Sequence, residues 1–319
     1  MTAANVNGIT IEFDVHGDDG DEPLLLVMGL GGQLTAWPLD FVERLVAKGF
    51  RVIRFDNRDI GLSTMIPVPA PTRRQILLSI ISRRFAKSSY LLDDMADDAA
   101  ALLDHLGIAR AHVMGISMGG MISQALAICH PDKVASLTSI MSNTGDRKHG
   151  KIRKSLLRKL PRLMVRAPDD AVDKGVEMFR LISGPHFDAD AARKLGQEAF
   201  ERSYQPDGVA RQSMAISASP DRTQDLGRVR APTLVIHGLV DPLVMPSGGV
   251  ATAKAIPGAK LVMYPDMGHD LPLPRWDDII EDIADNARRA VPDGFDRLPG
   301  RTALRPEEGP FHAGDAHNA

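Results

Sequence analysis

Residues 115–120 read Gly-Ile-Ser-Met-Gly-Gly, a G-x-S-x-G pattern between an apolar run and a segment with helical spacing. A serine between a strand and a helix needs a turn so sharp that its backbone is strained, and the flanking glycines remove side chains that would collide. The hydroxyl of Ser117 then projects above the sheet at a helix start, where free N–H groups stabilise negative charge. The pattern predicts a nucleophile at Ser117; the alternative is a small-residue turn that only lets the helix pack closely.

Strand and helix patterns alternate on both sides of this stretch. Apolar runs or apolar–polar alternation predict strands, and apolar spacings of three or four predict helices. Predicted strands cover residues 9–16, 24–28, 51–55, 112–115, 134–141, 233–237 and 260–264. Predicted helices cover residues 38–48, 93–107, 118–129, 247–255 and 276–289. The alternation predicts an α/β fold, with a mostly parallel sheet, helices on both faces, and ligands beyond the carboxyl ends of the strands.

Two regions interrupt the alternation, and a tail follows it. Residues 145–227 have a helical pattern without a convincing strand, so we expect a helical lid inserted into a core of residues 1–144 and 228–290. The pattern of residues 64–92 predicts a smaller insertion near the same opening of the site that the lid would border. Residues 291–319 are rich in Pro, Gly, Asp and His without periodicity, and we expect this tail to be disordered.

The composition narrows the class of protein. The 319 residues are 44% hydrophobic and 25% charged, and the net charge of −3 gives no general attraction to nucleic acid or to a membrane. The single cysteine, Cys129, excludes an intrachain disulfide. The first eight residues lack a signal-peptide pattern and no long apolar run appears, so a cytoplasmic location is expected. No metal-ligand cluster or dinucleotide fingerprint appears, so no cofactor is expected.

Two further residues follow Ser117 along the chain, first an acid and then a histidine. Serine enzymes whose nucleophile lies in a strand–turn–helix use this order. Asp241 lies in the loop after the predicted strand 233–237, and His269 lies in the loop after the predicted strand 260–264. His269 is predicted to take the proton of Ser117, and Asp241 to orient that base. His237 ends a strand and is interpreted as capping structure or packing beneath the loop, and the aspartates that flank His269 are poorly placed to reach its far ring nitrogen.

The predicted chemistry also needs two backbone N–H donors for the tetrahedral oxyanion. One is expected from Met118, the residue after the nucleophile. The other is expected from the glycine-rich loop 28–32, where Leu30 is the first choice and Gly29 or Gly31 are alternatives. Because the donors are backbone groups, their side chains carry little information, and the same sequence is compatible with a simple flexible glycine turn.

With these motifs, residues 9–290 resemble the α/β-hydrolase superfamily. The matching pieces are residues 26–29, the Asp-Asn-Arg-Asp-x-Gly-x-Ser segment at 56–63, the serine stretch at 115–120, residues 237–241 and residues 268–269. Within the superfamily the chain is similar to actinobacterial esterases that include aclacinomycin methylesterase and the mycobacterial lipase G group. The resemblance implies an α/β-hydrolase fold with an inserted helical lid, and residues 56–63 are expected to form a structural turn beneath the site.

The predicted function is hydrolysis of carboxylic esters through an acyl-enzyme, with the triad Ser117, His269 and Asp241. Thioesterase, lipase or phospholipase, and perhydrolase-type activities use the same triad and stay open. Serine at position 117 argues against dehalogenase and epoxide hydrolase chemistry, for which relatives use aspartate. From another class, a member of the fold that binds a ligand without catalysis is the alternative, although such a protein has no need of all three groups.

Two basic stretches bear on the substrate and the surfaces that the enzyme contacts. Residues 147–166 hold nine Lys or Arg and no acid, and residues 73–87 have the same mixed basic and apolar character. One interpretation is helices that bury an apolar face and leave their charges in solvent. The other is peripheral contact with an anionic membrane surface. The expected partner is accordingly a small-molecule or lipid-like ester substrate.

Overall fold

The computed structural model describes residues 2–160 and 168–290, and an eight-stranded sheet runs through it. The strands are β1 (Thr2–Val6), β2 (Ile9–His16), β3 (Glu22–Val27), β4 (Phe50–Phe55), β5 (Ala111–Ile116), β6 (Val134–Ile140), β7 (Thr233–Gly238) and β8 (Lys260–Tyr264). Their order is β1-β2-β4-β3-β5-β6-β7-β8. The two pairings β1–β2 and β2–β4 are antiparallel and the others are parallel. The predicted, mostly parallel α/β sheet is confirmed.

The helices are α1 (Leu39–Val46), α2 (Arg73–Ile81), α3 (Leu92–His105), α4 (Met118–Cys129), α5 (Lys154–Leu157), α6 (Ala171–Ile182), α7 (Ala189–Arg202), α8 (Pro206–Ala218), α9 (Thr223–Leu226), α10 (Ser247–Ala255) and α11 (Trp276–Arg288). Each core helix was predicted within a few residues of its bounds. None of the helices in the described residues is both long and apolar enough to cross a bilayer.

Two apolar cores cover the two faces of the sheet. Successive strand residues point to opposite faces, so Leu25 and Val27 lie in the core that contains α3 and α4, whereas Leu24 and Leu26 lie in the core that contains α1 and α11. All four side chains are at most 1% exposed. Continuous apolar runs in the central strands therefore follow from burial on both faces.

One strand was not predicted. Strand β1 pairs antiparallel with β2, with Val6 opposite Ile9, and only alternate residues of β1 are buried. Asn7 and Gly8, with φ of 49° and 75°, form the two-residue turn between these strands. An Asn-Gly pair is the preferred sequence for such a hairpin turn. The prediction failed because an edge strand with one exposed face looks polar.

The chain between β6 and β7, residues 141–232, is called the inserted segment below. Its described residues contain α5 to α9 and no strand. The expected lid bounds, 145–227, fall inside it and remain a prediction. Residues 161–167, which include part of the basic stretch 147–166, and the tail 291–319 lie outside the described residues.

Candidate active site

Ser117 lies in the turn between β5 and α4 with a left-handed backbone, φ 54° and ψ −119°. A non-glycine residue in this region stores on the order of 1–3 kcal/mol of strain and stays there only where its surroundings hold it. Two hydrogen bonds do so: the amide of Ser117 donates to the carbonyl of Ile140 at 2.9 Å, and the Ser142 hydroxyl donates to the carbonyl of Ser117 at 2.8 Å. The turn therefore presents the serine in one fixed conformation.

The glycines of the G-x-S-x-G pattern are required by close backbone approach. A β-carbon on Gly115 would overlap the carbonyl of Gly119, and one on Gly119 would overlap the carbonyl of Val27. A β-carbon on Gly120 would lie 2.7 Å from the β-carbon of Ser142. Side chains at these positions would force α4 away from the sheet, and Ser117 would move with it.

The three residues of the predicted triad come together beyond the carboxyl ends of β5, β7 and β8. The Nε2 atom of His269 lies 2.9 Å from the Oγ atom of Ser117, and its Nδ1 atom lies 2.7 Å from Oδ2 of Asp241. Asp241 is fully buried, His269 is 8% exposed and Ser117 is partly exposed. The hydroxyl is thus open to a substrate, while the acid behind it is shielded from water.

The surroundings of Asp241 keep it ionised and in place. Its Oδ1 atom accepts hydrogen bonds from the amides of Leu243 at 2.8 Å and Val244 at 2.9 Å. Burial alone would raise the pKa of Asp241, but the charge of His269 and hydrogen bonding from His237 and His269 hold the pKa below its ordinary value. The fully buried His237 lies 2.7 Å from the carbonyl of Val244 and 3.5 Å from Asp241.

The loop that carries His269 is fixed by the inserted segment. The amide of His269 donates to the carbonyl of Ile182, at the end of α6, at 2.7 Å. Among the described residues Asp270 forms no hydrogen bond with the imidazole; its Oδ1 atom accepts hydrogen bonds from the amides of Gly268 at 2.9 Å and Gly184 at 3.2 Å. Burial raises the pKa of Asp270. This aspartate thus ties the two loops together, whereas Asp241 faces the histidine.

The predicted oxyanion donors are the amide of Met118, which follows the serine in the chain, and that of Leu30, in the loop 28–32. Among the described residues, the amides of Met118 and Leu30 have no hydrogen-bond acceptor. The alternative donor Gly31 is already engaged, because its amide donates to Oε1 of Gln212 at 3.0 Å. A β-carbon on Gly29 would lie only 3.3 Å from the β-carbon of Ser117, so this loop borders the nucleophile directly.

The segment 56–63 makes contacts that sequence reasoning missed. Asp56 pairs with Arg202 of α7 at 2.7 Å, and Asp59 accepts two hydrogen bonds from Arg211 of α8 at 2.9 and 2.7 Å. The side chain of Asn57 donates to the carbonyl of Met28 at 3.0 Å. The segment is a structural turn, and it also anchors the inserted segment and the oxyanion loop. No local pattern shows this, because the arginines lie about 150 residues away in sequence.

Two further features bear on ligands. A cavity of about 410 Å³ lies beside the acid loop and is lined in part by Arg153, Lys159, Ser183, Val240 and Pro242. Its two cationic side chains make it suitable for an anionic group. Over residues 2–160 and 168–290, no cluster of three or more His, Cys, Asp or Glu side chains could hold a metal ion.

The chain belongs to the α/β-hydrolase fold family, whose model matches residues 22–275. Rhodomycin D methylesterase DnrP of Streptomyces peucetius is 31% identical over 304 residues, which cover 89% of this chain and 96% of the relative. Rhodomycin D methylesterase DauP of Streptomyces sp. (strain C5) is 29% identical over 304 residues, with the same coverage. The solved structure of a thermophilic esterase from Thermogutta terrifontis is similar, with a TM-score of 0.67 at 25% identity, covering 91% of this chain and 98% of that one. The chain is an esterase-type hydrolase.

Proposed function

We propose that this enzyme hydrolyses carboxylic esters through an acyl-enzyme formed on Ser117. The observation that carries the proposal is the pair of contacts at 2.9 and 2.7 Å that link Ser117 through His269 to Asp241. The Oγ atom of Ser117 attacks the ester carbonyl carbon while Nε2 of His269 takes the hydroxyl proton. The buried carboxylate of Asp241 holds the imidazole in the required tautomer and stabilises the imidazolium that forms.

The remaining steps use the same groups. The carbonyl electron pair moves to the oxygen, and the amides of Met118 and Leu30 donate hydrogen bonds to this oxyanion. When the intermediate collapses, the bond to the alcohol oxygen breaks and His269 gives its proton to the leaving alkoxide. Water then attacks the acyl group on Ser117, His269 takes a proton from it, and the acid is released as Ser117 regains its proton.

We propose a methyl ester of a larger carboxylic acid as the substrate. Two methylesterases align with almost their whole length to this chain at 31% and 29% identity, which supports the same class of ester. The cavity beside Asp241, with Arg153 and Lys159 in its lining, supports an anionic group elsewhere in the molecule. The thioesterase, lipase and perhydrolase alternatives, and the cytoplasmic location, stay predictions.

Hydrolysis of a series of esters tests both the serine mechanism and the proposed methyl ester substrate. The wild type is expected to cleave methyl esters of bulky aromatic acids faster than their butyl esters, and Ser117→Ala is expected to lose turnover by several orders of magnitude. A fluorophosphonate should label the wild type at Ser117 only. Ser213→Ala is the matched control, because that hydroxyl donates to Val209 within its own helix. Turnover retained by Ser117→Ala would rule out the mechanism; a preference for butyl esters would rule out only the substrate.

We further propose that the basic stretches 73–87 and 147–160 form one surface that contacts an anionic membrane. One hydrogen bond joins them, from Arg147 to the carbonyl of Ser79 at 3.1 Å, and a second, from Arg83 to the carbonyl of Gly145 at 3.0 Å, holds the first stretch to the residues just before the second. Neither stretch contains an acidic residue, although the whole chain has a net charge of −3. Exposed apolar side chains lie among the cations: Leu77 is 58% exposed and Phe85 is 52% exposed. Charges beside exposed apolar groups are what an anionic lipid surface attracts.

Vesicle sedimentation tests this surface. The wild type is expected to bind phosphatidylserine vesicles at low salt and to lose binding as salt rises, because ions screen the attraction. The double variant Arg74→Glu with Arg84→Glu should bind at least tenfold more weakly. Lys254→Glu, with the same kind of charge change at an exposed side chain of α10, should bind like the wild type. Equal binding by all three proteins, or none by the wild type, would contradict the proposal.

A further inference from the structure

Gln212 connects the inserted segment to two loops of the catalytic core. Its Oε1 atom accepts a hydrogen bond from the amide of Gly31 at 3.0 Å, and its Nε2 atom donates to the carbonyl of Arg58 at 2.9 Å. The side chain is 0% exposed. A buried amide with partners at both ends is held in one orientation, because breaking either bond would leave a polar atom unpaired away from water. Gln212 therefore fixes Gly31 firmly.

The hydrogen bond to Gly31 determines the conformation of the oxyanion loop. Residues Gly29 to Gly32 form a turn, closed by a hydrogen bond from the amide of Gly32 to the carbonyl of Gly29 at 3.1 Å. Gly31 has φ of 70° whereas Leu30 does not have a positive φ, and this combination defines a type II turn. Type I and type II turns differ by a flip of the middle peptide, here the one between Leu30 and Gly31. Gln212 binds the N–H of that peptide and so favours the type II form.

The same turn sets the direction of the Leu30 amide. That N–H belongs to the same peptide as the Gly29 carbonyl, and in a trans peptide the two groups point in opposite directions. The Gly29 carbonyl is held by Gly32, so the Leu30 amide points out of the turn. The closing bond and the Gln212 bond together fix both peptides of the loop that borders Ser117.

Helix α8, which carries Gln212, is itself fixed on the core. Arg211 makes its two hydrogen bonds to Asp59, whose carboxylate also accepts one from the Tyr90 hydroxyl at 2.7 Å. A β-carbon on Gly208 would overlap the carbonyl of Asp59, so the helix backbone lies directly against this loop. Gln212 thus acts from a rigid support.

We propose that Gln212 is a positioning residue, which anchors the turn Gly29–Gly32 to α8 and so holds the Leu30 amide in place beside Ser117, where the oxyanion forms. The inference rests on the proposed acyl transfer at Ser117. It makes α8 part of the scaffold of the oxyanion hole, although this helix lies 181 residues beyond the loop that it holds. Loss of the bond would free the turn to shift relative to Ser117 and would displace a donor that matters mainly in the transition state.

The substitution Gln212→Met tests the role, because it keeps the length of the side chain and removes both hydrogen bonds. We expect kcat, per site titrated with a fluorophosphonate, to fall by at least tenfold, with KM within about twofold of the wild type. A trifluoromethyl ketone, which mimics the oxyanion, should bind less tightly by a similar factor. Ser213→Ala, on the next residue of α8, should leave all three quantities unchanged.

A second variant tests the proposal if Gln212→Met does not fold. Gln212→Asn keeps a buried amide but shortens it by one methylene, so it cannot reach both partners, and the same fall in kcat is expected. A fall of less than tenfold in the folded variant, or inhibitor affinity equal to that of the wild type, would overturn the proposal. Failure of the proposed function is seen separately, as turnover that survives Ser117→Ala.

Discussion

The two oxygen atoms of Asp241 have different partners. Oδ1 accepts hydrogen bonds from the amides of Leu243 and Val244, whereas Oδ2 faces His269. In the variant Asp241→Asn the backbone amides will keep the side-chain oxygen, so the new NH₂ group will face Nδ1 of the imidazole. The proton then moves to Nε2, which can no longer accept the proton of Ser117. We expect kcat to fall on the order of 10⁴-fold with little change in KM, measured by steady-state ester hydrolysis.

Asp270→Asn provides the control, because Asp270 is next to His269 in sequence and is partly buried, whereas Asp241 is fully buried. In the described part of the chain its carboxylate accepts hydrogen bonds only from the amides of Gly268 and Gly184, and an amide oxygen can accept both. We therefore expect kcat within about tenfold of the wild type. A larger loss in Asp270→Asn than in Asp241→Asn would mean that the acid has been assigned to the wrong residue.

At the level of single residues, sequence predicted best what depends on chain order. Ser117, Asp241 and His269 each follow a strand, and parallel strands bring such loops to one edge of the sheet. The role of Gln212 could not be predicted, since one glutamine on a helix looks like any other polar residue. Its partners lie 154 and 181 residues away in sequence.

At the level of elements, the predictable parts were those with strong local periodicity. Strands β3, β5 and β7 are buried on both faces and therefore appear as apolar runs, and α11 has one apolar face. Strand β1 was missed because half of its residues are exposed, although the Asn-Gly pair after it is a recognisable hairpin signal. A period of two over five residues is too short to distinguish an edge strand from a polar terminus.

The inserted segment shows a second limit. Its helical character was predictable from spacing, but its attachment was not, because attachment depends on Asp56 with Arg202 and Asp59 with Arg211. Both carboxylates are fully buried, and a buried charge without its partner is strongly unfavourable. The inserted segment is therefore coupled to the core at the loop after β4, through its helices α7 and α8.

At the level of the whole molecule, stability in acid should depend on His112 in the middle of the sheet. The ring is 1% exposed, with Nδ1 2.8 Å from the Ser136 hydroxyl and Nε2 3.6 Å from Glu22. Burial, helped by the charge of Arg110, lowers the pKa of His112 to about 4. In the unfolded chain a histidine titrates near 6.5, so between these values the unfolded state binds more protons. The free energy of unfolding should fall by up to about 3 kcal/mol as the pH drops through this window.

Urea unfolding from pH 7 to pH 4 compares the wild type with His112→Gln, whose side chain stays neutral throughout. The wild type should lose more stability than the variant over this range. Arg110→Gln should fall between them, because removing the neighbouring charge lets the pKa of His112 rise toward its ordinary value and narrows the window. If the free energy of unfolding changed with pH equally in all three proteins, the proton taken up on acid unfolding would bind to a group other than His112. An ordered series would show that one buried ring, 5.8 Å from the ring of Phe50, limits how far the sheet tolerates acid.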